Sequence, residues 1–311
     1  MLLSNNGGKK MQKLLIEIEN YLTVCQDLKG LSPLTLKAYA IDLKQFYAFM
    51  QHKNCLSKEC MIEYIDVLHK QYKPKSAKRK IACVKAFYHY MEMENIIDNN
   101  PFHKIQIKYK EPIVLPKTIP LSSIETILKY GYQQYEYANS AYQKQVSLRN
   151  IIILELLFST GMRVSEISNL KLENIDLKSN NIYIFGKGSK ERIMCIANKE
   201  IAQLIKSYLE SRNYNSEYLF INKIGNNYSE QSIRNMVNAY AKAAGVGIHI
   251  TPHMFRHTFA TALLDEDVNL RYIQQLLGHS SIVTTQIYTH ISTNKIRQIL
   301  EDKHPRSRFN L

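Results

Sequence analysis

Apolar side chains recur at a helical period over residues 11–104. Leu36, Ala40, Leu43, Tyr47 and Met50 fall on one face of one helix, and Ile81, Val84, Tyr88 and Met91 on one face of another. Ser32 and Pro33 open the first of these helices, because a serine hydroxyl can accept an orphan N–H and proline at the first position has none to satisfy. Lys75, Lys78, Arg79, Lys80 and Lys85 crowd the start of the second. The pattern predicts a small basic four-helix unit. Residues 105–120 carry Lys108, Lys110 and Lys117 among Pro112, Pro116 and Pro120, which break any ladder of N–H donors and predict an extended basic linker.

From residue 121 onward the pattern is again mainly helical. Ile151 to Phe158 is apolar all round, which predicts a buried central helix running into a break at Thr160-Gly161. Two runs of alternating character, Asn181–Phe185 and Arg192–Ile196, flank Gly186-Lys187-Gly188-Ser189-Lys190 and predict a hairpin with a basic tip. The Tyr- and Gln-rich stretch from Tyr130 to Tyr142 reads as a loop or a helix extension. The expected fold is therefore mainly α with a small antiparallel β-sheet in the second of two domains. With 311 residues and 45% apolar composition, the chain can build one larger and one smaller core.

Charge narrows the partners. Lys and Arg number 41 against 27 Asp and Glu, a net +14 spread along the chain, as suits a protein lying along a polyanion. Five cysteines without a C-x-x-C pair argue against a disulfide framework and for a reduced compartment. No apolar stretch has the length of a membrane span or a leader, so a soluble, cytoplasmic protein without a membrane partner is expected.

The chemistry is concentrated in four segments. Thr160-Gly161-Met162-Arg163-Val164-Ser165-Glu166 carries one arginine and an acceptor, and the hairpin tip carries Lys187, Lys190 and Arg192. Thr251-Pro252-His253-Met254-Phe255-Arg256-His257 adds a second arginine and two imidazoles, and Leu277-Gly278-His279 precedes Tyr288. Opening a phosphodiester without a metal needs a nucleophile, cationic donors on the non-bridging oxygens and an acid for the leaving oxygen. Arg163 and Arg256 offer permanently charged planar forks, and Glu166 an acceptor that orients an arginine or histidine. Each residue alone has a plainer reading: a surface ion pair, a capping histidine at a helix end for His279, or a half-buried tyrosine among 21. His253 and His257 have the i, i+4 spacing of zinc ligands, but no glutamate base follows and Arg256 sits beside them, so no metal is expected. On chemistry alone Lys187, Lys190 and Arg192 compete as the proton donor.

Taken together, these segments resemble the tyrosine site-specific recombinases, most closely the Xer and phage-integrase branch, over nearly the whole chain. Leu31-Ser32-Pro33-Leu34-Thr35-Leu36-Lys37-Ala38-Tyr39 is similar to the start of that family's amino-terminal helical domain. The resemblance implies an N-terminal SAM-like core-binding domain over residues 11–104, a linker over 105–120 and a catalytic domain over 121–311, closing as a C-shaped clamp on duplex DNA. It implies a catalytic set of Arg163, Lys187, His253, Arg256, His279 and Tyr288, with Glu166 in support and His257 outside the pocket. Lys75, Lys78, Arg79, Lys190 and Arg192 are expected to contact DNA. The implied activity is strand exchange through a 3′-phosphotyrosine and a Holliday junction, without cofactor, in dimer resolution or mobile-element movement. It would take place in a homo-tetramer, or a hetero-tetramer with a second recombinase, with or without an activating protein, at the nucleoid. Ser292 to Leu300, with Ile296, Ile299 and Leu300 at helical spacing, would pack on a neighbouring protomer. A catalytically silent DNA-binding protein of the same fold, or a topoisomerase-like enzyme that nicks and reseals one duplex, are the alternatives.

Overall fold

Two compact units, Met1–Ile113 and Val114–Leu311, divide the chain in a computed structural model that describes residues 7–107, 116–185, 191–196, 199–212 and 214–278. Among the described residues the first unit has four helices: α1 (Gly7–Asp27), α2 (Pro33–Met50), α3 (Lys58–Gln71) and α4 (Pro74–Met93). Ser32 caps α2 by accepting the Thr35 N–H at 3.3 Å, with Pro33 in the first turn, as the sequence pattern predicts. The core is aromatic, with Tyr21, Phe46, Tyr64, Phe87 and Tyr88 meeting edge-on or tilted. Ile81, Val84, Tyr88 and Met91 are all buried, as expected. The inward face of α2 is rotated from the predicted one. Phe46 and Asp42 are buried with Leu43 and Met50, whereas Ala40 and Tyr47 are only half-buried. An inward aspartate is tolerable because Lys80, itself buried, donates to Asp42 Oδ1 at 2.8 Å, and Arg79 bonds its other oxygen.

In the second unit, α5 (Leu121–Glu136) and α6 (Ala141–Thr160) form an antiparallel pair. The Tyr- and Gln-rich stretch is thus mostly helical: α5 extends through it to Glu136 and Tyr142 already belongs to α6. Only the short connection ending at Ser140 is non-helical, and Ser140 with Gln143 closes a reciprocal capping box on α6. Ile151, Ile152, Ile153, Leu154, Leu156 and Leu157 are fully buried, so α6 is the expected central helix. Around it lie α8 (Lys199–Glu210), α9 (Glu230–Ala243) and α10 (Pro252–Asp265).

The predicted hairpin is present as β2 (Asn181–Phe185) and β3 (Glu191–Cys195), antiparallel, with Ile182 opposite Met194 and Phe185 opposite Glu191. A third strand, β1 (Ile175–Asp176), pairs with β2. At two residues it is too short to carry a period in the sequence. Also in this unit are two short α-helices, α7 (Val164–Ser168) and α11 (Leu270–Leu277), and a single 3-10 turn at Leu172–Asn174. No described helix is long and apolar enough to cross a membrane.

Candidate active site

The site grows from two left-handed glycines. Gly161 ends α6 at φ +60° and Gly278 ends α11 at φ +63°, conformations that a Cβ makes costly. Both positions are also crowded. A Cβ on Gly161 would lie 2.5 Å from the Phe259 ring and 3.1 Å from Leu277, and one on Gly278 would lie 3.0 Å from Arg192 Nη1. The turn at Gly161 places Arg163 at the N-cap of α7, and the turn at Gly278 leads directly into His279.

Arg256 ties the two turns together. On α10, with only 2% of its surface exposed, it donates from Nη1 to the Gly161 carbonyl at 2.7 Å and from Nη2 to the Leu277 carbonyl at 2.6 Å. Arg163 reaches towards the same turn, with Nη2 3.4 Å from the Gly278 carbonyl. Two arginines that are 93 positions apart thus meet at one place. Bonded to two backbone carbonyls, the Arg256 guanidinium is held in a fixed orientation between the two turns.

Glu166 is saturated. Its Oε1 accepts from Arg163 Nη1 at 2.8 Å and Arg192 Nη1 at 2.9 Å, and its Oε2 from the Arg163 backbone N–H and Arg192 Nη2, both at 2.7 Å. Burial by itself pushes this carboxyl up. The hydrogen bonds and charge of Arg192, and then those of Arg163, outweigh burial and hold it below the usual carboxylate range. The expected role of Glu166 as an orienting acceptor fits this geometry.

Arg192, for which a DNA contact is expected, is bonded within the protein. Both of its terminal nitrogens are engaged by Glu166, and its side chain is 10% exposed. The strand pattern carries a signal for this placement. On β3, Met194 and the following Ile196 are buried while Ile193 is 57% exposed, so alternation puts Arg192 on the inward face.

His253 is exposed at the start of α10, and Arg256, one turn further on, is buried. The His253 and His257 rings meet edge-on, centroids 4.3 Å apart. Burial, then His253 and Arg256, push His257 down to about 4, so it is neutral at ordinary pH. Among the described residues no group of three or more His, Cys, Asp and Glu is arranged to hold a metal ion. Thr251 occupies the N-cap of α10, without a side-chain capping bond.

Lys75 and Lys78 are exposed on α4, and Arg79 beside them is bonded to Asp42. Lys187, Lys190, His279, Tyr288 and the segment Ser292 to Leu300 lie outside the described residues.

Residues 131–295 match the model of the phage integrase family, and residues 18–95 match that of the phage integrase N-terminal SAM-like domain. The chain is 48% identical to a tyrosine recombinase from Agathobacter rectalis, over 96% of this chain and 100% of that one. It is 32% identical to tyrosine recombinase XerC from Oceanobacillus iheyensis, over 96% and 99%. Among solved structures it resembles XerH site-specific recombinase, bound to palindromic difH substrate in a post-cleavage complex. The TM-score is 0.74 at 23% identity, over 97% of this chain and 90% of that one.

Proposed function

From the premise that this chain belongs to the phage integrase family, with tyrosine recombinases as its relatives, we propose a site-specific recombinase that exchanges DNA strands through a 3′-phosphotyrosine on Tyr288 and a Holliday junction. The observation that carries this reading is the convergence of Arg163 and Arg256 on the Gly161 and Gly278 turns. Two fixed guanidiniums at one point suit a phosphoryl group that gains charge as it is attacked.

The Tyr288 phenol oxygen attacks the scissile phosphorus, and the bond to the 5′ oxygen breaks. Lys187 gives that oxygen its proton, while Arg163, Arg256, His253 and His279 stabilise the non-bridging oxygens. The phosphotyrosine bond conserves the energy of the phosphodiester. A 5′-hydroxyl from a partner duplex can therefore displace the tyrosine without ATP, a metal or another cofactor.

In this reading residues 11–104 form the DNA-binding domain, 105–120 the linker and 121–311 the catalytic domain. Lys75 and Lys78 contribute phosphate contacts. Four protomers, of this chain alone or together with a second recombinase, act on two sites, in dimer resolution or mobile-element movement. The setting is the cytoplasmic nucleoid, and an activating protein is compatible with the scheme.

A plasmid carrying two direct copies of the candidate site from the gene's own neighbourhood tests the proposal. Excision of a circle is the expected product. Relaxation without excision would favour the topoisomerase-like enzyme, and binding without strand breakage the silent DNA-binding protein.

A further inference from the structure

A carboxylate beside a phosphate-binding arginine presents a difficulty. Glu166 orients Arg163 through its side chain and its backbone, yet a one-to-one pair would cancel the charge that Arg163 needs for a phosphate. The structure resolves this with a second guanidinium. Arg192 takes Glu166 in a two-pronged grip at 2.9 and 2.7 Å, and the cluster of two arginines and one carboxylate keeps a net positive charge. The distribution of solvent decides where that charge acts. Arg192 and Glu166 are 10% and 9% exposed, while Arg163 is 41% exposed and faces outward.

Arg192 also lies against the Gly278 turn, closely enough that a Cβ there would meet its guanidinium. It thus touches both the residue that orients Arg163 and the turn before His279, while sitting on the strand that follows the hairpin tip.

We infer that Arg192 is a positioning residue for cleavage: it neutralises Glu166 from behind, so that Glu166 aims Arg163 without cancelling it, and it braces the Gly278 turn. This assignment rests on the recombinase reading above. It differs from a DNA contact in what it predicts. A phosphate contact weakens binding and lowers the salt dependence of affinity, whereas a positioning residue slows cleavage in complexes that are already formed.

The test is single-turnover formation of the covalent adduct on a nicked duplex carrying the candidate site. Wild type, Arg192→Gln, Arg192→Lys and the double variant Arg192→Gln/Glu166→Gln are compared, with DNA affinity followed across salt and folding followed by thermal melting. Arg192→Gln is expected to slow cleavage by about 10–100-fold with the salt slope unchanged. Removing the now uncancelled carboxylate in the double variant is expected to recover about tenfold, a non-additivity that loss of packing would not give. In Arg192→Lys, which lacks the fork, the Glu166 carboxyl titrates higher, so the acid limb of the cleavage profile moves to higher pH. This shift also carries the test if Arg192→Gln does not fold.

Cleavage by Arg192→Gln at the wild-type rate would overturn the inference. So would a salt slope lower by about one with cleavage unchanged, a folded double variant no faster than Arg192→Gln, or an unmoved acid limb in Arg192→Lys. Failure of the underlying reading looks different: the wild type itself forms no adduct on bound DNA.

Discussion

The Glu166 side chain is only 9% exposed, ionised and fully hydrogen-bonded, so its neighbours replace the solvation it loses. Glu166→Ala leaves the largely enclosed Arg192 side chain without its carboxylate and is expected to lower stability in denaturant unfolding, by less than the roughly 3–5 kcal/mol of a fully buried pair. His257 is a second residue with a readable sign. Its ordinary value of 6.5 falls to about 4 in the fold, chiefly through burial. Between those values the unfolded chain binds a proton that the native state refuses, so the contribution to stability is complete above about pH 6.5 and is lost as pH falls towards 4. Replacing His257 by asparagine should flatten this part of the pH profile of the unfolding midpoint. An unchanged slope would mean that the imidazole is hydrated. Of the residues expected at the site, the arginines were legible from type and company alone. The double engagement of Glu166 required the fold, because it joins α7 to a strand 26 positions away.

Elements were legible where one physical signal dominated. The Ser32 cap and the apolar run of α6 are examples, since capping and all-round burial are written locally. The inward face of α2 was less so, because Asp42 is buried through Lys80 and Arg79, residues of another helix that no local period reveals. The end of α5 at Glu136 was obscured by its tyrosines, although Ser140 and Gln143 marked the next start. Since α6 is the centre of the second core, Leu154→Ala should cost about 2–5 kcal/mol, measured by urea unfolding. Gly161→Ala tests the turn at its end. The left-handed φ and the approach to Phe259 should together lower the unfolding midpoint and slow cleavage, since the same turn carries Arg163 and accepts from Arg256. A variant that melts and cleaves like wild type would show that the turn does not set the arginines.

At the scale of the whole molecule, +14 on 311 residues predicts that association with DNA weakens steeply as salt is raised. Lys75→Ala and Lys78→Ala should each weaken DNA binding broadly across sequences and reduce the salt slope by about one. Arg79→Ala should in addition lower the melting temperature, because Arg79 also bonds the buried Asp42. An unaltered slope in both lysine variants would remove α4 from the DNA surface. The proposed nucleophile is probed by comparing wild type and Tyr288→Phe on a nicked duplex carrying the candidate site, without divalent metal, resolved under denaturing conditions. The expected result is a covalent protein–DNA adduct in the wild type and none in Tyr288→Phe, with equal binding by both. An adduct that survives in Tyr288→Phe, or wild-type protein that binds the site and never becomes attached to it, would rule out Tyr288 as the nucleophile.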